Sequence, residues 1–299
     1  MNKIFKIVFV IAISALQGCA SNQIDSSSVT MNQLIIAEPL AINYKSEIAI
    51  ARLTDVIQRA EITDVQRAEL YYDRGVIYDS VGLRSLARLD FNRALRLKPN
   101  FVDAYNFLGI HYTQLQEFNQ AYEAFDSAID LDSKHEYAYL NRGIALYYGG
   151  RPALSIDDFS TFHQRKENDP YRILWLYLAE YATDSVNAKT ILQRSSALVD
   201  ESIWAKSIIK MYLGDITDQQ FVSQLSKGVN SNKALSERLC EAYFYLGKYY
   251  QIKGNNKSAA NFFKLALSTN VYEFVEHRYA KLELDLLQTN VVNSDVLPK

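Results

Sequence analysis

Apolar and small residues recur along this chain with a period of 34 residues. Three glycines stand in register at Gly75, Gly109 and Gly143. An aromatic residue lies four positions before each glycine, and a phenylalanine lies sixteen positions after it. Apolar positions spaced in this way follow the 3.6-residue period of amphipathic helices. Only 5 prolines and 11 glycines occur in 299 residues, so few positions break helices. The pattern predicts an all-α protein built from repeated helix pairs.

This register resembles the tetratricopeptide repeat, a helix–turn–helix unit of 34 residues. We assign three units to 68–101, 102–135 and 136–169. A fourth set of matching positions surrounds Gly247 and places a further repeat at 240–273. Since one helix pair cannot bury its apolar face alone, we expect the units to stack into a superhelix.

Helical segments are also expected outside these four repeats. Residues 44–67 carry an amphipathic leading helix, and a capping box at Thr63 opens the first repeat. Residues 170–239 are helical in pattern, but their repeats are degenerate. The segment 274–299 contains a capping helix to about Leu287, followed by a polar tail that we expect to fray.

The stretch GIALYYGGRP, residues 143–152, concentrates three glycines beside two tyrosines. Within the repeat register, Gly143 is a small packing residue, Gly149 and Gly150 end the first helix, and Pro152 lies in the first turn of the second. A phosphate-binding loop would need a preceding strand and a Gly-Lys-Ser/Thr ending, and the stretch has neither. We therefore interpret it as repeat architecture.

The N-terminus has the layout of a secretory signal. Two lysines precede an apolar run at 7–16, which is too short to span a bilayer. The run ends in Leu-Gln-Gly-Cys at Cys19, which resembles the lipobox of bacterial lipoproteins. An ordinary secretory signal with an incidental cysteine is the alternative.

The lipobox resemblance implies a lipid anchor. Residues 1–18 would be removed, the Cys19 thiol would receive a diacylglyceryl group, and 19–43 would form a flexible tether. By the family rule, Ala20 in place of aspartate implies transport to the outer membrane. Several acyl chains together would hold the protein stably at a membrane.

Four further stretches narrow the resemblance: YLNRGIALYYGGR at 139–151, WLYLAE at 175–180, YFYLGKYY at 243–250 and FVEHRYA at 274–280. With the lipobox and the repeats, they are similar to the NlpI lipoprotein family of gammaproteobacteria. The resemblance runs from the signal peptide to about Leu287 and is weakest in the tether, in 181–240 and in the tail.

The resemblance to this family implies a function that the repeat pattern alone does not. It implies an outer-membrane lipoprotein facing the periplasm, and a homodimer that uses the leading helix. It implies an adaptor for the periplasmic tail-specific protease Prc, to which a peptidoglycan endopeptidase, MepS, is presented for degradation. Other cell-wall hydrolases are further implied partners. A passive scaffold that assembles such hydrolases without promoting proteolysis remains an alternative.

A stack of repeats leaves a concave face lined by the first helix of each unit, here called helix A. In this chain, the residues at the positions that line this face are mostly aromatic or aliphatic, and few are charged. Such a surface suits a bound peptide segment held by apolar anchors. Alternatively, several of them pack against a neighbouring unit or the dimer partner. The predicted protein-binding residues are Tyr72, Val76, Asp79, Asn106, Ile110, Thr113, Tyr137, Leu140, Ile144, Tyr147 and Tyr148.

Composition and spacing give no support to other chemistry. A net charge of -2 argues against nucleic-acid binding. The four histidines lack metal-ligand spacing, so we expect no metal, no cofactor and no catalytic residue. His277 is expected to be solvated or interfacial, the pair Asp157-Asp158 to lie on a solvated face, and Cys240 to be a small buried residue.

Overall fold

The computed structural model describes residues 34–59 and 61–296, with side chains to 289. This part of the chain forms α-helices and no strand, which confirms the predicted all-α repeat fold. The helices are α1 (Tyr44–Arg59), α2 (Asp64–Ser80), α3 (Arg84–Leu97), α4 (Val102–Gln114), α5 (Phe118–Leu131), α6 (Glu136–Tyr148), α7 (Pro152–Gln164), α8 (Pro170–Thr183), α9 (Ser185–Ser196), α10 (Lys206–Leu213), α11 (Asp218–Ser223), α12 (Asn232–Ile252), α13 (Asn256–Leu267) and α14 (Val275–Val296).

Each repeat glycine lies where two helices approach closely. A Cβ atom added to Gly109 would lie 2.5 Å from Cε1 of Phe125, and one added to Gly143 would lie 2.9 Å from Cε1 of Phe159. Both phenylalanines are fully buried. The phenylalanine sixteen positions after each glycine therefore fills the space that the missing side chain leaves. This explains why the repeat needs both residues in fixed register.

The helix ends follow local sequence signals. Thr63 and Gln66 form the predicted capping box at the start of α2. Helix α6 ends at Tyr148, Gly150 adopts a φ of 76°, and α7 begins at Pro152. The interpretation of GIALYYGGRP as a packing glycine, a turn and a helix start is confirmed.

Two helices extend beyond their predicted limits. Helix α12 begins at Asn232, because the Ser231 side chain accepts a hydrogen bond from the Ala234 amide and caps it there. Helix α14 continues to Val296, whereas the sequence pattern ended it near Leu287. No glycine or proline lies between Leu287 and Val296. An existing helix extends at little cost through such a segment.

Residues 34–43 run as an extended segment along α12 and the end of α13. The Leu40 amide donates to the Thr269 carbonyl at 3.0 Å, and the Asn232 side chain donates to the Glu38 carbonyl at 2.8 Å. Ala37 is buried against the same helices. The predicted flexible tether over 19–43 therefore does not extend through 35–40, because Ala37 is buried and backbone groups of Ile35, Glu38 and Leu40 are hydrogen-bonded.

Helix α14 does more than cap the last repeat. It packs on α12 and α13 and also contacts α4, which belongs to the second repeat. Arg278 of α14 forms an ion pair with Asp79 of α2. The C-terminal helix thus lies along the helix A side of the first repeats and covers much of the face that the sequence predicted to be open.

Candidate protein-binding site

Six of the predicted binding residues are buried in the protein interior. Thr113 donates to the Gly109 carbonyl at 2.8 Å, and Asn106 accepts a hydrogen bond from Asn141 at 3.0 Å. In this arrangement these side chains have little or no surface to offer a partner. The six buried residues are Asp79, Asn106, Ile110, Thr113, Leu140 and Ile144.

Asp79 serves to hold α14 in place. Its carboxylate contacts Arg278 on one side and lies 3.2 Å from His111 Nε2 on the other. Burial alone would raise the pKa of Asp79, but His111 and the charge of Arg278 together hold it below its ordinary value. The carboxylate therefore stays ionised inside the stack and joins α2, α4 and α14.

Tyr147 and Tyr148 are half-buried and pack towards α12 and α14. The Tyr148 hydroxyl donates to Glu283 at 2.8 Å, and Glu283 forms a buried ion pair with Lys248. The Lys248 ammonium lies 5.0 Å from the centre of the Tyr147 ring. Burial would lower the pKa of Lys248, but Glu283 outweighs this and raises it. This cluster closes the middle of the helix A face.

A groove between α1 and α2, here called the α1–α2 groove, remains open with a volume of about 840 Å³. Tyr72 and Val76, two of the predicted binding residues, keep accessible surface there. Charges of opposite sign lie on its two sides, basic on α1 and acidic on α2. The groove is lined by Lys45, Ile48, Ala49, Arg52, Leu53, Tyr72, Asp73, Val76 and Ile77.

A second opening of about 470 Å³ lies between α6, α8, α12 and the start of α14. The predicted residue Tyr137 stands at this opening with 54% of its surface exposed, and Leu140 lies deeper. We call it the acidic aromatic pocket, because its walls combine aromatic rings with carboxyl groups. Its lining residues are Tyr137, Leu140, Phe162, Asp169, Tyr171, Arg172, Trp175, Glu241, Glu273, Phe274, Val275 and Glu276.

The structure shows whether His277, the pair Asp157-Asp158 and Cys240 are buried or exposed. His277 is buried and its Nε2 lies 3.1 Å from the Leu267 carbonyl, so the prediction of a solvated or interfacial residue is wrong. Asp158 is buried against Arg142, whereas Asp157 is exposed as predicted. Cys240 is buried and unpaired, and burial raises the pKa of its thiol.

Two equivalent ion pairs inside the repeats were not predicted from the sequence. Arg74 donates to Asp90 in the first repeat, and Arg142 donates to Asp158 in the third. Each pair joins the two helices of its repeat, and both span sixteen residues, the same offset as the glycine and phenylalanine. The periodic register could have revealed them, because arginine and aspartate recur two repeats apart.

Membrane-spanning helices, metal sites and the predicted lipidation site are the remaining candidate features. In the part of the chain that the structure describes, no helix is long and apolar enough to cross a membrane. Over the same residues, no group of three or more His, Cys, Asp or Glu side chains could hold a metal ion. The predicted lipidation site, Cys19, lies outside the described residues.

A solenoid of helix pairs with open grooves on its surface defines a scaffold for protein–protein interaction. The family model "Tetratricopeptide repeat" matches residues 68–101 and 102–135. The chain therefore carries tetratricopeptide repeats, and this fold indicates protein partners.

Solved structures of tetratricopeptide proteins are similar to this chain. One from Parabacteroides merdae is 16% identical, over 82% of this chain and 100% of its own, with a TM-score of 0.50. PilF of Pseudomonas aeruginosa is 17% identical, over 74% of this chain and 99% of its own, with a TM-score of 0.46. The C-terminal part of a protein from Cytophaga hutchinsonii is 18% identical, over 75% of this chain and 90% of its own, with a TM-score of 0.47. At these identities, the likeness to the first shows the fold alone.

Proposed function

We propose that this protein is a non-enzymatic adaptor, lipid-anchored at Cys19 to the outer membrane and facing the periplasm. It binds a periplasmic tail-specific protease similar to Prc and presents to it a peptidoglycan endopeptidase similar to MepS. Degradation of the endopeptidase then limits cell-wall hydrolysis and influences cell division. The lipobox at Cys19 and the four sequence stretches similar to the NlpI family support these specific roles.

The observation that carries the binding role is the pair of openings that α14 leaves on the stack. Most of the helix A face is closed by the chain itself, yet the α1–α2 groove and the acidic aromatic pocket stay accessible. Two separate openings let the chain contact a second copy of itself and one further protein at the same time. Exposed aromatic and aliphatic side chains at such openings are typical binding anchors.

A homodimer is part of this proposal, with a second copy as the occupant of the α1–α2 groove. Helix α1 has sixteen residues but buries only Ile57, while Ile48 and Val56 remain 45% and 40% exposed. A two-fold axis would bring the basic side of one groove, with Arg52, against the acidic side of the other, with Asp73. This charge arrangement favours a second copy of the chain as the partner.

The decisive experiment reconstitutes the three components. The chain from Ala20 onward is mixed with the tail-specific protease and the endopeptidase of the same organism, and the amount of endopeptidase is followed over time. The adaptor role requires faster loss of the endopeptidase than with the protease alone. Stable binding of the endopeptidase without faster loss would favour the alternative, a passive scaffold for cell-wall hydrolases. Binding to neither protein would overturn both.

A further inference from the structure

We propose that the acidic aromatic pocket binds the cationic side chain, lysine or arginine, of a partner protein. This inference rests on the proposed function, since it names the chemistry by which a partner is held. The pocket is the place where open volume, aromatic walls and carboxyl groups without a cation coincide.

The walls of the pocket suit a long side chain with a charged end. Tyr137, Tyr171 and Trp175 line it together with Phe162 and Phe274. Aromatic faces attract cations and also pack against the apolar stem of lysine or arginine. The pocket already contains one example of this contact, because the Arg172 guanidinium lies 3.8 Å from the centre of the Phe162 ring.

Glu241 and Glu276 are the carboxyl groups that would become ionised beside a bound cation. Glu276 is 6% exposed, and both carboxyl groups line the cavity. Burial raises the pKa of both groups, and their mutual repulsion contributes for Glu241. For Glu241, the nearby charge of Glu237 adds to this rise in pKa, whereas the Tyr171 hydroxyl opposes it.

The charge of Arg238 lowers the pKa of Glu241 slightly against the effect of burial, but the hydrogen bonds and ion pairs of the surrounding cations go to other groups. Arg172 forms an ion pair with Glu136 at 2.9 Å, and Arg238 donates to the Lys227 carbonyl at 2.7 Å. The Lys233 Nζ atom lies 3.7 Å from Oε1 of Glu237, with which it forms an ion pair. Among the described residues, no lysine or arginine forms an ion pair with Glu241 or Glu276.

The other two carboxylates that line the pocket, Asp169 and Glu273, are compatible with cation binding. Asp169 accepts hydrogen bonds from the Tyr171 and Arg172 amides and caps α8. Glu273 is exposed at the opening and adds negative charge. An incoming ammonium or guanidinium group would therefore meet one buried and one partly buried carboxyl, neither of which forms an ion pair. Their ionisation would be favoured by the cation, as for any carboxyl beside an opposite charge.

The test uses the only two tryptophans of the chain as reporters. Trp175 lines the acidic aromatic pocket, whereas Trp204 lies in a different cavity beside Arg238. The chain from Ala20 onward keeps every residue that the structure describes. It is titrated with Nα-acetyl-lysine methylamide and, separately, with the neutral Nα-acetyl-norleucine methylamide, while the two indole N–H signals are followed by NMR.

We expect the lysine probe to shift the Trp175 signal with about millimolar affinity, as for a small single-site ligand. The Trp204 signal should not move, and the norleucine probe should bind at least about tenfold more weakly, since it lacks the charge. Affinity should rise with pH, because ionisation of a carboxyl that burial keeps protonated accompanies binding. Equal shifts with both probes, or no shift of Trp175, would overturn the proposal.

Two variants link the signal to the carboxyl groups. The double substitution Glu241→Gln with Glu276→Gln keeps size and hydrogen bonding, and should weaken the lysine probe at least about tenfold. Glu117→Gln, at the exposed position just before α5, is the matched control and should change nothing. If the double variant is unfolded by circular dichroism, Tyr137→Ala at the exposed opening replaces it, with a severalfold loss expected. Unchanged affinity in the folded variant would exclude this site.

The outcome is separable from that of the adaptor experiment. If the lysine probe binds but endopeptidase loss is not accelerated, the pocket is a cation site that serves another protein partner. If the loss is accelerated but the probe does not bind, the adaptor uses a different surface and this inference is wrong.

Discussion

Single residues set how closely the helices of this protein approach. The four repeat glycines, Gly75, Gly109, Gly143 and Gly247, each face the ring of a buried phenylalanine in the other helix of the same repeat. The absent side chain is therefore a packing requirement and not a source of flexibility, because all four lie inside helices. Substitution at these positions should act through steric conflict.

Gly109→Ala tests this directly, because two effects of opposite sign compete. Alanine in a helix is favoured over glycine by about 1 kcal/mol. Here its Cβ would lie 2.5 Å from Phe125, and overpacking of this kind costs about 1–3 kcal/mol. We expect a net loss of unfolding free energy, measured by urea denaturation. The loss should shrink in a Phe125→Leu background, and a gain in stability would contradict the packing argument.

His277 gives the protein a sensitivity to acid. Burial lowers its pKa from 6.5 to about 4, so the folded state binds fewer protons than the unfolded state between these values. Stability must therefore fall as the pH drops from about 6.5 towards 4, by up to about 3 kcal/mol. His277→Gln keeps a donor for the Leu267 carbonyl and should remove this part of the loss in urea melts across that range. An unchanged pH profile would show that His277 does not titrate in this way.

At the scale of elements, α14 determines which parts of the repeat face remain accessible. Arg278 and Glu283 fix it to α2 and α12 through buried ion pairs. Removing one partner of a buried pair leaves an uncompensated charge and is strongly destabilising. The docking of α14 therefore depends on a few charged contacts as well as on its apolar residues.

Asp79→Asn should loosen α14 more than the rest of the molecule. The substitution leaves Arg278 buried without its carboxylate, at a cost of about 3 kcal/mol. Hydrogen exchange should become faster in 275–289 and in the facing part of α4. Asp64→Asn is the matched control, since Asp64 lies on the same helix but is exposed and outside the groove lining. Equal exchange in both variants would mean that the ion pair does not hold the helix.

At the scale of the whole molecule, the helix A face is closed along its middle, and two openings on the described part of the stack hold predicted binding residues. The α1–α2 groove carries the apolar residues that α1 fails to bury, and the acidic aromatic pocket carries carboxyls without a counter-ion. Both openings combine predicted binding residues with chemistry that a protein partner could satisfy. The function of the protein is accordingly expected at these two sites.

The dimer proposal predicts a mass of two chains by light scattering at micromolar concentration. Ile48→Asp should convert this species to a monomer, because it places a charge in the groove. Ile42→Asp is a suitable control, since Ile42 is exposed but lies outside the groove lining and outside α1. A monomeric mass for the unchanged chain would contradict the proposal.

The amino-acid sequence by itself determined the repeat register, the helix pairs and many helix ends. These features depend on local or periodic signals, such as the glycine–phenylalanine offset, the capping box at Thr63 and Pro152 at the start of α7. Each of these signals either recurs with the repeat period or involves residues close together in the chain, so the sequence alone reveals it. It also identified Tyr72 and Tyr137 as binding candidates, and both retain accessible surface.

Only the tertiary structure decided which residues of the helix A face are covered. The contact between Asp79 and Arg278 joins residues 199 positions apart, and that between Tyr148 and Glu283 spans 135. Such pairs leave no periodic signal, because α14 occurs once and its partners belong to different repeats. Periodicity shows which side of a helix points inward, whereas the covering of that side depends on where a distant segment of the chain packs.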